Sequence, residues 1–279
     1  MVIKCWGARG SIAVSGIEYQ KYGGDTTCLE IRNDQGDLII VDAGTGIRAL
    51  GNVLVGEPRR EFNLIFTHAH WDHLLGFPFF KPIYIGGTTM NLFGCPFAQQ
   101  SVKDLISKTM SPPYFPVQWK DLSADFHYEG LCDRSFRVHS MEVVPILLNH
   151  PNQGMGYKFT ENGKSFVFLT DNELLHTHPG GLRFSDYADF CAGVDLLIHD
   201  AEFTEDEYQS TKGWGHSAYT HALRLAVESN AKRFGLFHHN QDHSDDVIDG
   251  IIHDCHRKRD QWKSSVDVFG VASGMEITL

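Results

Sequence analysis

The sequence has no paired-cysteine motif and no long apolar run. Its six cysteines are scattered, and no two are separated by only two residues. We interpret them as reduced thiols with packing roles in a reducing compartment. A run of about 18 apolar residues, as a membrane span requires, is also missing. The first residues lack the apolar core of a signal peptide. These absences predict a cytoplasmic protein that does not bind membranes.

A surplus of basic residues is missing as well. The 24 Lys and Arg residues are outnumbered by 35 Asp and Glu residues, which gives a formal net charge of -11. This balance argues against a broad surface for long nucleic acids, although metal ions can supply local positive charge for a small anionic substrate. Hydrophobic residues make up 42% of the 279 residues, and we see no linker or low-complexity segment. We therefore expect one domain over residues 1–279.

Apolar runs separated by glycine-rich turns predict strands in both halves of the chain, with helices between them. The predicted strands cover residues 2–6, 27–32, 38–42, 63–67, 83–93, 136–139, 142–148, 155–160, 165–170, 194–199, 233–237 and 266–271. The predicted helices cover residues 47–54, 99–109, 216–229 and 245–259. Two sheets with helices outside them are the simplest layout for this pattern.

The most informative segment is 67–73, which reads Thr-His-Ala-His-Trp-Asp-His directly after a predicted strand. It places three imidazoles and one carboxylate within six residues. Neutral imidazole and carboxylate are the donors that zinc and similar divalent ions bind. The segment therefore indicates a metal site. The alternative is a polar loop whose histidines share no role.

Polar residues recur at the ends of predicted strands. His68, His150, Asp171, Asp200 and His238 each follow an apolar run. Strand ends along one edge of a layered α/β fold form one cleft. Because buried charge is costly unless it is paired or bound to a metal, we predict that these separate segments deliver ligands to one place.

These motifs resemble those of the metallo-β-lactamase fold superfamily. Segment 67–73 matches its H-x-H-x-D-H signature, and His150, Asp171 and His238 fit its later positions. Segment 42–46, Asp-Ala-Gly-Thr-Gly, resembles its early D-x-G segment. The resemblance covers nearly the whole chain. It implies an α/β (α+β) fold, a four-layer αββα sandwich, and a metal-dependent hydrolase.

The resemblance also implies two divalent metal ions, zinc by preference and manganese or iron as alternatives. One ion would be held by His68, His70 and His150, the other by Asp72, His73 and His238, with Asp171 as the bridge. Asp42 would orient a ligand histidine from outside the metal sphere. His239 is the alternative to His238 as the last ligand.

Two later segments resemble ribonuclease Z. Residues 197–203 resemble its H-E-A-T-F segment, with Asp200 in the Glu position, and Gly-His-Ser at 215–217 resembles its G-H-S segment. The resemblance implies that His216, paired with Asp200, protonates the leaving oxygen, since an alkoxide leaves poorly without a proton. Asp72 joins them as a predicted catalytic residue. The alternative is that His216 is a helix N-terminal residue and Asp200 a capping group.

The leading hypothesis is a dinuclear phosphodiesterase for a small phosphodiester such as a cyclic nucleotide. The alternatives are an RNA-processing endonuclease of the ribonuclease Z type, a thioester or lactam hydrolase, and a non-hydrolytic redox or binding protein. The resemblance favours a homodimer. Loop 111–119 is either a connection or a lid. Its aromatic residues Tyr114, Phe115 and Trp119 offer stacking on a base, although packing suits at least two of them better.

Overall fold

The computed structural model describes residues 1–95, 102–130 and 134–279. Its first sheet has seven strands in the order β14-β1-β2-β3-β4-β5-β6. These strands are β1 (Val2–Gly7), β2 (Cys28–Arg32), β3 (Leu38–Val41), β4 (Glu61–Ile65), β5 (Thr89–Gly94), β6 (Asp125–Gly130) and β14 (Glu276–Thr278). Strand β1 pairs antiparallel with β14 and β2, and β2 with β3, while β3 to β6 run parallel.

The second sheet also has seven strands, in the order β13-β12-β11-β10-β9-β8-β7. They are β7 (Phe136–Val138), β8 (Met141–Leu147), β9 (Met155–Glu161), β10 (Lys164–Leu169), β11 (Leu196–Asp200), β12 (Arg233–Phe237) and β13 (Asp267–Gly270). From β7 to β10 each strand pairs antiparallel with the next, and from β10 to β13 each strand pairs parallel with the next.

Most of the described α-helices pack on the outer faces of the two sheets. The described α-helices are α1 (Ile47–Leu54), α2 (Trp71–Leu74), α3 (Val102–Thr109), α4 (Phe184–Phe190), α5 (Glu205–Thr211), α6 (Tyr219–Glu228) and α7 (Asp245–Gln261). Leu50 of α1 belongs to the apolar cluster on the first sheet, and Leu223 of α6 to the cluster on the second. No helix in the described residues has both the length and the apolar composition needed to cross a membrane.

The alternation of side chains along each strand builds the layers. In β3, Ile39 faces the core between the two sheets, whereas Ile40 faces the outer helices. In β10, Phe168 faces the central core and Val167 the outer one. Burying one such side chain contributes about 1.5–3 kcal/mol, so strands buried on both faces hold the sheets together. The result is the predicted four-layer αββα sandwich.

Some sequence predictions were wrong in detail. Only the end of segment 83–93 is a strand, because a 3-10 helix at Lys81–Tyr84 occupies its start. Helix α6 begins at Tyr219 and not at residue 216. Strands β6 and β14 and helices α4 and α5 were not predicted. Residues 99–101 of the predicted helix 99–109 lie outside the described residues.

The interpretation of the cysteines as reduced thiols was wrong for Cys95. Cys5, Cys28, Cys191 and Cys255 are free and buried. Cys95, in contrast, is disulfide-bonded. No cysteine lies within twenty residues of Cys95, so cysteine spacing did not predict this bond.

Candidate metal centre and active site

Three site residues have left-handed backbone conformations just beyond strand ends. Asp42 follows β3, Asp171 lies two residues after β10, and His238 follows β12, with φ angles of 62°, 50° and 57°. This conformation is uncommon for residues other than glycine, and it clusters at functional sites because it re-aims a side chain. The three turns bring their buried side chains to the histidine motif: Asp42 and Asp171 contact His73, and His238 contacts Asp72.

The predicted metal ligands form two clusters that share Asp171. The first cluster consists of His68, His70, His150 and Asp171, whose ligand atoms lie within 4.8 Å of one another. His68 Nε2 is 3.3 Å from Asp171 Oδ2, and His150 Nε2 is 3.0 Å from His70 Nδ1. These four donors therefore face one common position.

The second cluster consists of Asp72, His73, Asp171 and His238. Asp72 Oδ2 is 3.2 Å from His73 Nε2 and 3.1 Å from His238 Nε2. Asp171 Oδ1 is 3.3 Å from both of these nitrogens. Because Asp171 turns Oδ2 to the first cluster and Oδ1 to the second, its carboxylate is placed between the two positions.

Two buried imidazole nitrogens test whether metal ions fit here. His68 Nε2 in the first cluster and His73 Nε2 in the second lie 3.2–3.3 Å from carboxylate oxygens, but neither forms a well-aligned hydrogen bond among the described residues. A buried polar atom without a partner costs about 1–3 kcal/mol, and a metal ion would remove that cost. The donor set of imidazoles and carboxylates is also the one that zinc and similar ions bind. The residues present therefore fit a pair of divalent ions.

The electrostatics of the clusters agree with this fit. Burial and the neighbouring His68 lower the pKa of His70 to about 4, so its imidazole is neutral, as metal binding requires. In the second cluster, burial lowers the pKa of His73, but Asp72 and Asp171 outweigh burial and raise that pKa well above its ordinary value. A site that attracts a proton so strongly attracts other cations as well.

The outer nitrogen of several of these histidines is held by a partner behind it. His73 Nδ1 is 2.8 Å from Asp42 Oδ2, as predicted for Asp42. His238 Nδ1 is 3.0 Å from Glu202 Oε2, and His150 Nδ1 is 3.1 Å from the Gly215 carbonyl. Such contacts fix ring orientation and keep Nε2 facing the site.

The alternative ligand His239 faces away from both clusters. Its Nε2 is 2.8 Å from the Val271 carbonyl, and burial lowers its pKa to about 3. His238 instead contacts Asp72 and Asp171. The geometry therefore favours His238 as the last ligand.

The predicted pair of His216 and Asp200 lies beside the second cluster. His216 Nδ1 is 3.1 Å from Asp200 Oδ2 and 3.2 Å from Glu202 Oε2. Its ring is stacked on that of His238, with centroids 4.8 Å apart. Burial lowers the pKa of His216, but Glu202 and Asp200 outweigh burial and raise it to about 9. Residue 216 lies outside helix α6, so it is not the first residue of that helix.

Glu202 is a site residue that sequence reasoning missed. It is 3% exposed, and Oε2 touches both His216 and His238. Its Oε1 accepts a hydrogen bond from Asn240 at 3.1 Å. The only available signal was its place two residues after Asp200, within the segment that resembles ribonuclease Z.

The segment after β1 contacts the second cluster. The Ser11 backbone N–H donates to Asp72 Oδ2 at 3.0 Å. The fully buried Arg9 guanidinium donates to the carbonyls of Gly23, Asn240 and His243. Arg9 therefore fixes the chain on either side of the second cluster.

Known proteins resemble this chain in sequence and in structure. A ribonuclease Z from Bacillus cereus is 22% identical over 261 residues, which cover 80% of this chain and 85% of that protein. The crystal structure of YhfI, a metallo-beta-lactamase fold protein from Bacillus subtilis, matches with a TM-score of 0.71 at 18% identity. The match covers 99% of this chain and 98% of the YhfI chain. A diphosphatase from the PhnP family has a TM-score of 0.68 at 15% identity, with 100% and 97% coverage.

A family model described as "Beta-lactamase superfamily domain" matches residues 38–239. This range contains the early Asp42 segment, the histidine motif, and every proposed ligand up to His238. The structural matches agree with the two-sheet fold and its outer helices. The chain therefore belongs to the beta-lactamase superfamily, as the H-x-H-x-D-H resemblance predicted, and is a metal-dependent hydrolase of metallo-β-lactamase fold.

Proposed function

We propose that the protein is a dinuclear metal-dependent phosphodiesterase that hydrolyses a small phosphodiester such as a cyclic nucleotide. The observation that carries this proposal is an imidazole beside the second ligand cluster: His216 stacks on His238, and two carboxylates lie behind its Nδ1. A thioester has no comparable need for such a group, because its thiolate leaves readily without a proton. A phosphodiester does need a proton donor, because its alkoxide leaving group is strongly basic.

The ligand clusters supply the other half of the reaction. The ions, zinc by preference and manganese or iron as alternatives, would supply an activated water and polarise the phosphoryl oxygens. Asp171 would hold both ions, and Asp72 would take part in the second cluster as a ligand and catalytic residue. Asp42 and Glu202 would keep His73 and His238 oriented from behind.

His216 would carry the proton that the leaving oxygen needs. Asp200 and Glu202 both contact Nδ1, so one edge of the ring is held and Nε2 is the edge left for donation. Asp200 is itself fixed by backbone N–H groups of Asn172, Glu202 and Ser217 at 2.9–3.3 Å. The carboxylate therefore has a defined position from which to orient the imidazole.

The substrate class rests on charge and on the relatives. A formal net charge of -11 disfavours an extended RNA surface. Relatives named ribonuclease Z and diphosphatase support chemistry at phosphorus. The ribonuclease name keeps RNA processing as the second candidate. The homodimer stays a prediction, which sedimentation would test.

A substrate panel tests the proposal. The protein is stripped of metal, reloaded with zinc, manganese or iron, and assayed on bis-p-nitrophenyl phosphate, cyclic nucleotides, a precursor tRNA and a thioester. We expect metal-dependent hydrolysis of the first two. Cleavage of the precursor tRNA alone would favour the second candidate function, RNA processing, over hydrolysis of a small phosphodiester. Hydrolysis of the thioester alone would overturn the phosphodiesterase proposal.

A further inference from the structure

Two tryptophans at the motifs of the site are exposed to solvent. Trp71 stands between the proposed ligands His70 and Asp72, and its exposed fraction is 73%. Trp214, two residues before His216, is 63% exposed. Tryptophan is usually well buried, and an exposed ring at the mouth of a site is a common means of binding ligands.

Trp71 forms one wall of a cleft of about 470 Å³. The other lining residues are Leu75, Lys108, Thr109 and Tyr114. Tyr114 is 83% exposed and lies in the loop that follows α3. The volume lies within the 300–1,000 Å³ typical of small-molecule sites, and the two aromatic rings give the cleft flat apolar surfaces.

The other aromatic residues of loop 111–119 show why Tyr114 is distinctive. Trp119 stacks on Phe77 at 5.9 Å, and Phe115 contacts Phe79 edge-on at 5.6 Å. Both pack against the apolar cluster under the first sheet. This confirms that packing is the role of two of the three aromatic residues. Tyr114 is the one that is left facing the cleft.

We propose that the cleft between Trp71 and Tyr114 binds the heterocyclic base of a nucleotide phosphodiester. The inference rests on the proposed phosphodiesterase activity, which places the phosphate at the ligand clusters. Two of the proposed ligands, His70 and Asp72, are the chain neighbours of Trp71. A base attached to that phosphate through a sugar would then reach the cleft.

The cleft favours a base over a purely aliphatic ligand. Every nucleobase presents a flat face to an aromatic side chain, so stacking is strong but tolerates different bases. Binding through stacking predicts that the cleft distinguishes nucleotides from base-free phosphate esters more sharply than it distinguishes adenine from uracil.

The test compares two competitive inhibitors of the metal-loaded enzyme, adenosine monophosphate and inorganic phosphate. We expect Trp71→Leu and Tyr114→Ala each to raise the inhibition constant of adenosine monophosphate about 10- to 100-fold, the size of a lost stacking contact. The constant for inorganic phosphate should change less than twofold. Trp71→Phe, which keeps a flat ring, should restore most of the affinity.

Trp262→Leu is the matched control, since Trp262 is also exposed (45%) but caps the end of α7. Metal content is measured for each variant, because Trp71 adjoins two proposed ligands. Equal changes for both inhibitors, no change for either, or a change only in oligomeric state would overturn the inference.

The proposed function can fail separately. If the wild-type protein hydrolyses no phosphodiester, equilibrium dialysis with adenosine monophosphate still measures the cleft directly. Binding that depends on Trp71 and Tyr114 would then support the site without the activity. The absence of such binding would overturn the inference.

Discussion

The Glu173 carboxylate accepts the backbone N–H of Gly215 at 2.9 Å. The Gly215 carbonyl in turn contacts His150 Nδ1 at 3.1 Å. Glu173 is completely buried and also accepts hydrogen bonds from Gly213 N–H at 2.7 Å and from the Tyr208 hydroxyl at 2.8 Å. One carboxylate therefore fixes the loop that positions a proposed metal ligand and leads into His216.

The first prediction concerns this carboxylate. Glu173→Gln would place an amide N–H₂ against a backbone N–H, so one of the two loop contacts would be lost. We expect the metal affinity of the first cluster to fall about tenfold, as for other outer partners of ligand histidines. Competition with a chromogenic chelator measures it. Glu228→Gln, in an exposed ion pair with Arg224, should leave affinity unchanged. Equal affinities in both variants would contradict the prediction.

The second prediction concerns Gly215 itself. A Cβ added there would lie 2.0 Å from His150 Nδ1, and its φ of +96° disfavours other residues. We expect Gly215→Ala to lose metal from the first cluster, in addition to stability. Gly163→Ala is the control, because its φ is +74° but nothing lies within 4 Å of the added atom. It should cost only about 1–2 kcal/mol of stability, measured by denaturant unfolding, and keep its metal. Full metal content in the Gly215 variant would refute the prediction.

Asp42 provides a third prediction. Its carboxylate contacts His73 Nδ1 and accepts the Thr67 N–H and hydroxyl groups. Asp42→Asn keeps the size and tolerates the left-handed backbone at this position, so only the charge and one acceptor are lost. We expect metal affinity of the second cluster to fall roughly 10- to 100-fold. Calorimetric metal titration checks this value, with Asp37→Asn, a surface partner of Arg59, as the control that should bind normally.

The parts of the fold that followed from the sequence are those with a regular pattern. Helix 47–54 and strand 233–237 were predicted with their observed bounds, because one has a clear apolar face and the other is a short apolar run. Strand β6 was missed because all six of its residues are partly or fully exposed. Helix α5 is almost entirely polar, although Thr204 and Glu207 form a capping box that was a usable signal.

The predicted ligands could be assembled because they lie in compact motifs at strand ends. Glu173 and Glu202 could not be found in this way. Glu173 acts on Gly213 and Gly215, about forty residues later, and Glu202, just after β11, contacts His238 at the end of the neighbouring strand β12. Their roles depend on tertiary contacts: Glu173 has no spacing signal for such contacts, and Glu202 has only its place two residues after Asp200.

The fourth prediction tests the sharing of Asp171. Because its two oxygens face different clusters, Asp171→Asn should reduce the metal content from two ions per chain to fewer than one. His150→Ala should leave about one ion, since His150 belongs to the first cluster only. Elemental analysis after dialysis measures these contents. Two tightly bound ions in the Asp171 variant would show that the clusters do not depend on a common carboxylate.

The last prediction separates proton donation by His216 from metal binding. In His216→Asn the imidazole is lost, while a side-chain N–H₂ can still face Asp200. General-acid catalysis contributes about 10²–10⁴-fold, and mainly when the leaving group is basic. We therefore expect kcat for a cyclic nucleotide to fall by about that factor, while kcat for bis-p-nitrophenyl phosphate, whose p-nitrophenolate leaves readily, falls less than tenfold.

Metal content should stay at two ions in this variant. His256→Asn is the matched control, because His256 contacts only the Val268 carbonyl among the hydrogen bonds of the described chain and lies on α7. Equal losses of kcat on both substrates would show that His216 acts on a step common to both and not on the leaving group. Loss of metal would place His216 among the groups that hold the second cluster together, next to the His238 ring on which it stacks.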